Sequence, residues 1–273
     1  MARVAAIQMT STPDVAANLR AAGELLAQAA GAGACIAALP ENFAWMGRSD
    51  AEGKDDRRAI VEADGRGPIQ DFLAQSAERH RLWIIGGTLP VESGRDQRAG
   101  AACLVYDADG RRVARYDKIH LFDVHIPGKE ESYRESANVS PGASAVVIET
   151  PAGKLGLAVC YDVRFPELFR RLSAAGADWF CLPSAFTVPT GRAHWETLLR
   201  ARAIENLCYM VAPAQSGFHP NGRETYGHTM IVDFWGNVLS RLPRGSGVVT
   251  ADFDPARQAD ARQRFPALLH RAL

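Results

Sequence analysis

The feature that most restricts the fold of this chain is the excess of short apolar strands over helices. Runs such as "RVAAIQM" (3–9), "ACIAALP" (34–40), "LWIIGGTLP" (82–90) and "AACLVYD" (101–107) read as strands. So do "RVARYDK" (112–118), "DWFCLPSAF" (178–186), "CYMVAPAQS" (208–216), "HTMIVDF" (228–234), "NVLSRL" (237–242) and "GVVTADF" (247–253). Helical spacing is confined to four segments. The first follows Asp14, a candidate N-cap, with Val15, Leu19, Ala22, Leu25, Leu26 and Ala29 on one face. The others are 67–81, 166–176 with Pro166 in its first turn, and 192–207. "DADG" turns one hairpin, and "SAVVIETPAGKLGLAVC" (144–160) forms another. Hairpins among helices exclude a simple alternating parallel sheet and point to a layered α/β architecture. The polar stretch 119–143 shows no clean period and reads as one long loop, a length usually reserved for function.

No Pro- or Ser-rich linker divides the chain, so residues 1–273 are expected to form a single domain. "GAGACIAALPENF" and "AAGADWFCLPSAF" echo each other: a small-residue run, a strand, "LP", then a phenylalanine. If the echo is structural, two similar α-β layers place Glu41 and the 184–186 loop on opposite walls of one cleft. Thirty-one basic residues balance thirty-one acidic ones, which leaves no field for nucleic acid or an anionic membrane. The expected partner is a small molecule. Five scattered cysteines argue against a disulfide framework. "MARVAAIQMT" lacks the apolar core of an export signal, so the cytoplasm is the expected compartment.

Three segments place chemistry-bearing residues just beyond strands, where the sites of open α/β layers collect: "LPENF" with Glu41, "YDKIHLFD" with Lys118, and "VCYDVRFPE" with Cys160. Taken alone, Cys160 reads first as a small apolar residue ending a buried strand. A Cys-His arrangement would need His120, His194 or His228 as base, and the sequence favours none of them. CxxC, HExxH, GxGxxG and GxxxxGK[ST] patterns are all missing from the sequence, so neither a metal nor a nucleotide cofactor is expected.

With "PSAF", "HWETLLRARAIEN" and "YGHTMIVDFWGN", these segments closely resemble the nitrilase superfamily of carbon-nitrogen hydrolases, from "RVAAIQM" to "GVVTADFD". The resemblance implies a four-layer α-β-β-α sandwich and an enzyme cleaving a carbon-nitrogen amide bond. It assigns the general base to Glu41, the lysine to Lys118 and the nucleophile to Cys160. It gives a second glutamate to Glu135, with Glu130 and Glu131 as competitors in "KEESYRES". At unperturbed values of ~4.3 and ~8.5, proton transfer from cysteine to glutamate costs roughly 5 to 6 kcal/mol. The Lys118 ammonium is expected to offset that cost by favouring the thiolate. Lys118 and the backbone N–H of Tyr161 would hold the oxyanion. Phe186 stands in the substrate-facing loop. Arg164 either binds a substrate carboxylate or forms an ion pair with Asp162 or Glu167.

"CYDVRFPE", "HLFDVHIPG" and "YGHTMIVDFWG" look most like the branch containing deaminated glutathione amidase. The competing readings are an ω-amidase acting on 2-oxoglutaramate, another amidase or N-carbamoyl hydrolase, and an inactive interaction protein. A homodimer or higher homo-oligomer is implied; segments 166–177 and 192–207 are either core helices or, as the resemblance implies, part of its face.

Overall fold

The computed structural model describes residues 1–47, 56–125 and 132–272. Two main sheets lie at its centre. In the larger, Gly247–Phe253, Ala2–Gln8, Ile36–Ala38, Trp83–Ile85, Ala99–Tyr106 and Leu89–Glu92 lie side by side, and Arg112–Asp117 and Val139–Ser140 also pair with Ala99–Tyr106. The smaller runs Val147–Thr150, Gly153–Leu157, Trp179–Cys181, Tyr209–Ala212, Thr229–Val232 and Val238–Leu242.

Alternation along the strands explains the layering, since successive side chains point to opposite faces. Val4, Ala6, Ile36, Ala38, Ile85, Cys103 and Val105 cluster with Leu155, Leu157, Trp179 and Cys181 of the other sheet. Their neighbours Ala5, Ile7, Ala37, Leu39, Ile84 and Leu104 cluster instead with Ala22, Leu26 and Ala29 of helix α1 (Val15–Gly31) and with Leu73 and Ala77 of helix α2 (Pro68–His80). Helices α3 (Pro166–Ala174) and α4 (Val188–Asn206) cover the smaller sheet through Phe169, Leu172, Trp195, Leu199 and Ala203. The result is the expected α-β-β-α sandwich.

The sequence echo has a structural counterpart. Ala2–Gln8, Ile36–Ala38 and Trp83–Ile85 run parallel, with α1 and α2 as crossovers. Gly153–Leu157, Trp179–Cys181 and Tyr209–Ala212 repeat the pattern with α3 and α4. The two sheets join beyond these strands, where Met9 N–H donates to the Ala214 carbonyl and Ser216 N–H to the Met9 carbonyl. Asp14 caps α1 as its sequence implies, accepting from Ala17 N–H at 3.0 Å.

Three expectations need correction. The 119–143 segment is not a plain loop. It carries a hairpin of Asp123–His125 against Ser132–Arg134, a 3-10 turn Glu135–Ala137, and Val139–Ser140 added to the larger sheet. Strands this short show no readable period. Helix α4 begins at Val188 rather than 192, because Pro189 fits a first helical turn. A further helix, α5 (Pro255–Arg264), was not expected: Gln258 is its one buried residue, so its sequence lacks an apolar face. No helix among the described residues is long and apolar enough to cross a membrane.

Candidate active site

The seven residues that the family resemblance assigns to the site line a single cavity of about 760 Å3: Glu41, Lys118, Glu135, Cys160, Tyr161, Arg164 and Phe186. Each is delivered by a distinct local device. Glu41 follows strand Ile36–Ala38, and its carbonyl accepts from the Gln215 side chain at 3.0 Å. The next residue, Asn42, turns the chain at φ 57°, its N–H donating to the Thr88 hydroxyl at 2.9 Å. Lys118 ends the hairpin strand Arg112–Asp117 and hydrogen-bonds through its backbone to Ala101 and Gly142. A side chain at position 142 would meet the Asp117 carbonyl oxygen at 1.9 Å, so the "SPG" glycine permits this close backbone approach.

Cys160 sits at the start of a 3-10 turn with φ 45°, a left-handed conformation that costs a non-glycine residue on the order of 1–3 kcal/mol. The surroundings hold it there. Its N–H donates to the Pro183 carbonyl at 2.9 Å. The fully buried Asp162 carboxylate accepts from Val159 N–H at 2.8 Å, from the Tyr116 hydroxyl at 2.6 Å and from His120 N–H at 3.1 Å. One carboxylate thus ties the Cys160 turn to the segments on either side of Lys118.

Around the cysteine the charges are paired and buried. Lys118 Nζ donates to Glu41 Oε1 at 2.8 Å and to Glu135 Oε2 at 2.9 Å and Oε1 at 3.1 Å. Glu135 Oε2 also accepts from Phe122 N–H at 2.7 Å. Burial disfavours the Lys118 ammonium, yet Glu135 and Glu41 outweigh that effect and raise its pKa above the ordinary lysine value. Burial likewise acts against Glu135, but the Lys118 charge and hydrogen bond hold its carboxyl below the ordinary value. Glu41 and the Ala185 backbone both act electrostatically on the Cys160 thiol, in opposite directions. Burial first, and Glu41 second, push it well above the usual cysteine range against the pull of Lys118. Lys118 acts in the expected direction but is outweighed, so the sulfur carries its proton until a base takes it.

Glu130 and Glu131 lie outside the described residues. Arg164 pairs with neither Asp162, which is occupied as above, nor Glu167. It stands 3.2 Å from His194 Nδ1 and lies over the rings of Tyr161 and Phe186 at 5.6 and 5.3 Å. The ion-pair alternative is thereby corrected, and the guanidinium is left facing the cavity. None of His120, His194 and His228 lines the cavity with Cys160. His120 binds Asp162 through Nδ1 at 2.7 Å and stacks on Phe165, and His228 stacks on Tyr226. Among the described residues no three His, Cys, Asp or Glu side chains are grouped as metal ligands would be. Sequence reasoning missed Phe122, Tyr133 and Arg223 in the wall, and Asp162 as the anchor. An unexplained acid two residues after the cysteine was the available signal for the last.

A buried acid, ammonium and thiol converging on one cavity define a site for acyl transfer to sulfur. Residues 3–263 match the model of the carbon-nitrogen hydrolase family, and the chain belongs to that family. It is 43% identical over 270 residues to a deaminated glutathione amidase of Synechocystis sp., spanning 98% of this chain and 97% of that protein. Among solved structures it resembles Saccharomyces cerevisiae Nit3, a member of the nitrilase superfamily, with TM-score 0.86, 28% identity, and coverage of 99% of this chain and 96% of that one. It also resembles an amidase from Nesterenkonia sp. AN1 in which acrylamide has added to the active-site cysteine, with TM-score 0.78, 26% identity, and coverage of 97% and 98%.

Proposed function

We propose that this chain is an amidase that hydrolyses deaminated glutathione through a thioester on Cys160, releasing 2-oxoglutarate and cysteinylglycine. The observation that carries the reading is the convergence of Glu41, Lys118 and Cys160 on one cavity, with Glu41 bound to Lys118 at 2.8 Å. The near-full-length likeness to an amidase of that name supplies the substrate.

Glu41 takes the thiol proton as sulfur attacks the amide carbonyl, which avoids forming an unprotected thiolate in a buried site. The oxyanion forms against the Lys118 ammonium and the Tyr161 N–H. Glu41 then returns the proton to the departing nitrogen as the C–N bond breaks. It next deprotonates the water that attacks the thioester, and the S–C bond breaks to restore the thiol. Glu135 keeps Lys118 charged and oriented throughout. Arg164 receives the carboxylate of the 2-oxo acid, with Phe186 against the acyl chain.

Steady-state rates test the reading, with kcat/KM on deaminated glutathione expected to exceed that on 2-oxoglutaramate. Both substrates give the same acyl-enzyme, so the rates, not the trapped thioester, decide. A preference of more than tenfold for 2-oxoglutaramate, about 1.4 kcal/mol, replaces this reading with the ω-amidase one. The working form is proposed to be a homodimer. Exposed Ile204 on α4 and the neighbouring exposed Trp235 and Phe265 offer an apolar patch for it. Sedimentation at the mass of one chain would refute the dimer.

A further inference from the structure

The cavity holds a second guanidinium besides Arg164 with no carboxylate partner among the described residues. Arg223 donates from Nη2 to the Ala185 carbonyl and lies 5.3 Å over the Tyr133 ring. Its Nε is buried without any hydrogen-bond partner, alone in that respect among the described side chains. A buried donor left unpaired costs about 1–3 kcal/mol, so the fold accepts a penalty to hold this guanidinium in the cavity wall. Arg134 also reaches the cavity, but it is exposed and stands opposite Asp123 in the hairpin register.

The placement of the two arginines carries the argument further. Arg164 lies over Tyr161, Tyr161 packs edge-on against Phe122 at 5.1 Å, Phe122 meets Tyr133 at 5.1 Å, and Tyr133 carries Arg223. The row links the two guanidinium groups along the cavity wall, and both also touch the 185–186 loop, Arg164 over Phe186 and Arg223 at the Ala185 carbonyl. The proposed substrate has matching chemistry, with one carboxylate on the 2-oxo acid, a second on the terminal glycine, and the scissile amide between them. If Arg164 takes the first, Arg223, a cavity-lining cation with no carboxylate partner among the described residues, is left for the second.

We propose that Arg223 binds the C-terminal carboxylate of the leaving group and so sets the preference for a dipeptide amide over a primary amide. This rests on the amidase reading above. A charged acceptor suits the site, because hydrogen bonds between guanidinium and carboxylate are among the stronger ones and strengthen where water is excluded.

The test compares deaminated glutathione with its C-terminal carboxamide, which keeps the scissile bond and removes only the terminal charge. Wild-type enzyme is expected to favour the free acid by at least about tenfold in kcat/KM. In Arg223→Gln, which retains an N–H for the Ala185 carbonyl, that ratio is expected to fall to within about twofold of one. Arg223→Lys, which keeps a cation without the fork, is expected to recover part of the preference. An unchanged ratio in Arg223→Gln overturns the proposal, even if both rates fall together, since a uniform loss marks a support for the Ala185 loop. Equal rates on acid and carboxamide in the wild type overturn it without any variant. Failure of the wild type on both compounds is a separate result: it removes the amidase reading, and this proposal with it.

Discussion

Lys118 Nζ lies 2.8 Å from Glu41 Oε1, and both side chains are almost entirely withdrawn from solvent. Glu135 stands on the same ammonium at 2.9 Å, so two buried carboxylates share one cation. Replacing Lys118 by alanine leaves two like charges facing each other in a low-dielectric site. The expected loss is about 3–5 kcal/mol of stability, read by denaturant unfolding. The same variant is expected to lose at least about 10²-fold in kcat, on the scale of removing an oxyanion donor. Near wild-type turnover in folded Lys118→Ala would remove Lys118 from the mechanism.

The Cys160 thiol predicts a titration behaviour. Its pKa is raised chiefly by burial, next by Glu41, with Lys118 opposing. Thiolate absorbance is therefore expected to appear only on the alkaline side of an ordinary cysteine. Glu41→Gln removes one raising influence and leaves Lys118 in place, so the variant's thiolate is expected at lower pH even though its turnover is abolished. A Cys160→Ala control removes the signal and the activity with the fold intact. Alanine at Cys103, Cys181 or Cys208, all buried in the core, is expected to cost stability rather than catalysis. No downward shift in Glu41→Gln would mean that Glu41 does not act on the thiol.

Glu135 gives a stability signature in acid. Its folded pKa lies below the ordinary carboxyl value of 4.5, because the neighbouring Lys118 charge outweighs burial. Such a group stabilises the fold fully above its unfolded pKa, and that contribution is lost as pH falls toward the folded one. The unfolding free energy should thus decline on acidification below about pH 4.5, and decline less steeply in Glu135→Gln. Parallel declines in the two proteins would contradict the pairing with Lys118.

How much of this was legible in the sequence depends on how each feature is encoded. Glu41, Lys118 and Cys160 were readable because each follows a strand, and strand ends converge in a layered α/β fold. Glu135 came only through family resemblance, since the hairpin before it has three-residue strands that no periodicity reveals. The left-handed turn at Cys160 left no trace, because the contacts enforcing it come from Pro183 and from Asp162 through Val159. Arg223 lies in the polar turn "PNGRE", where an arginine facing a distant cavity looks like any solvated residue.

Asp162 yields the sharpest separation of positioning from chemistry. It is fully buried, touches Tyr116, His120 and Val159, and does not line the cavity. Alanine there strands a buried hydroxyl, two backbone N–H groups and the His120 ring nitrogen, each polar group worth about 1–3 kcal/mol when buried and unpaired. Asparagine keeps the shape and one carbonyl acceptor, so it is expected to fold. It weakens the tie between Val159, which precedes Cys160, and Tyr116 and His120, which flank Lys118. Asp162→Asn is therefore expected to lower kcat by about tenfold or more while leaving KM nearly unchanged, because a shift of the nucleophile relative to Lys118 penalises the transition state rather than binding. Thermal unfolding of the same sample separates this from global damage. A rise in KM at constant kcat would place Asp162 in substrate binding and refute the positioning role.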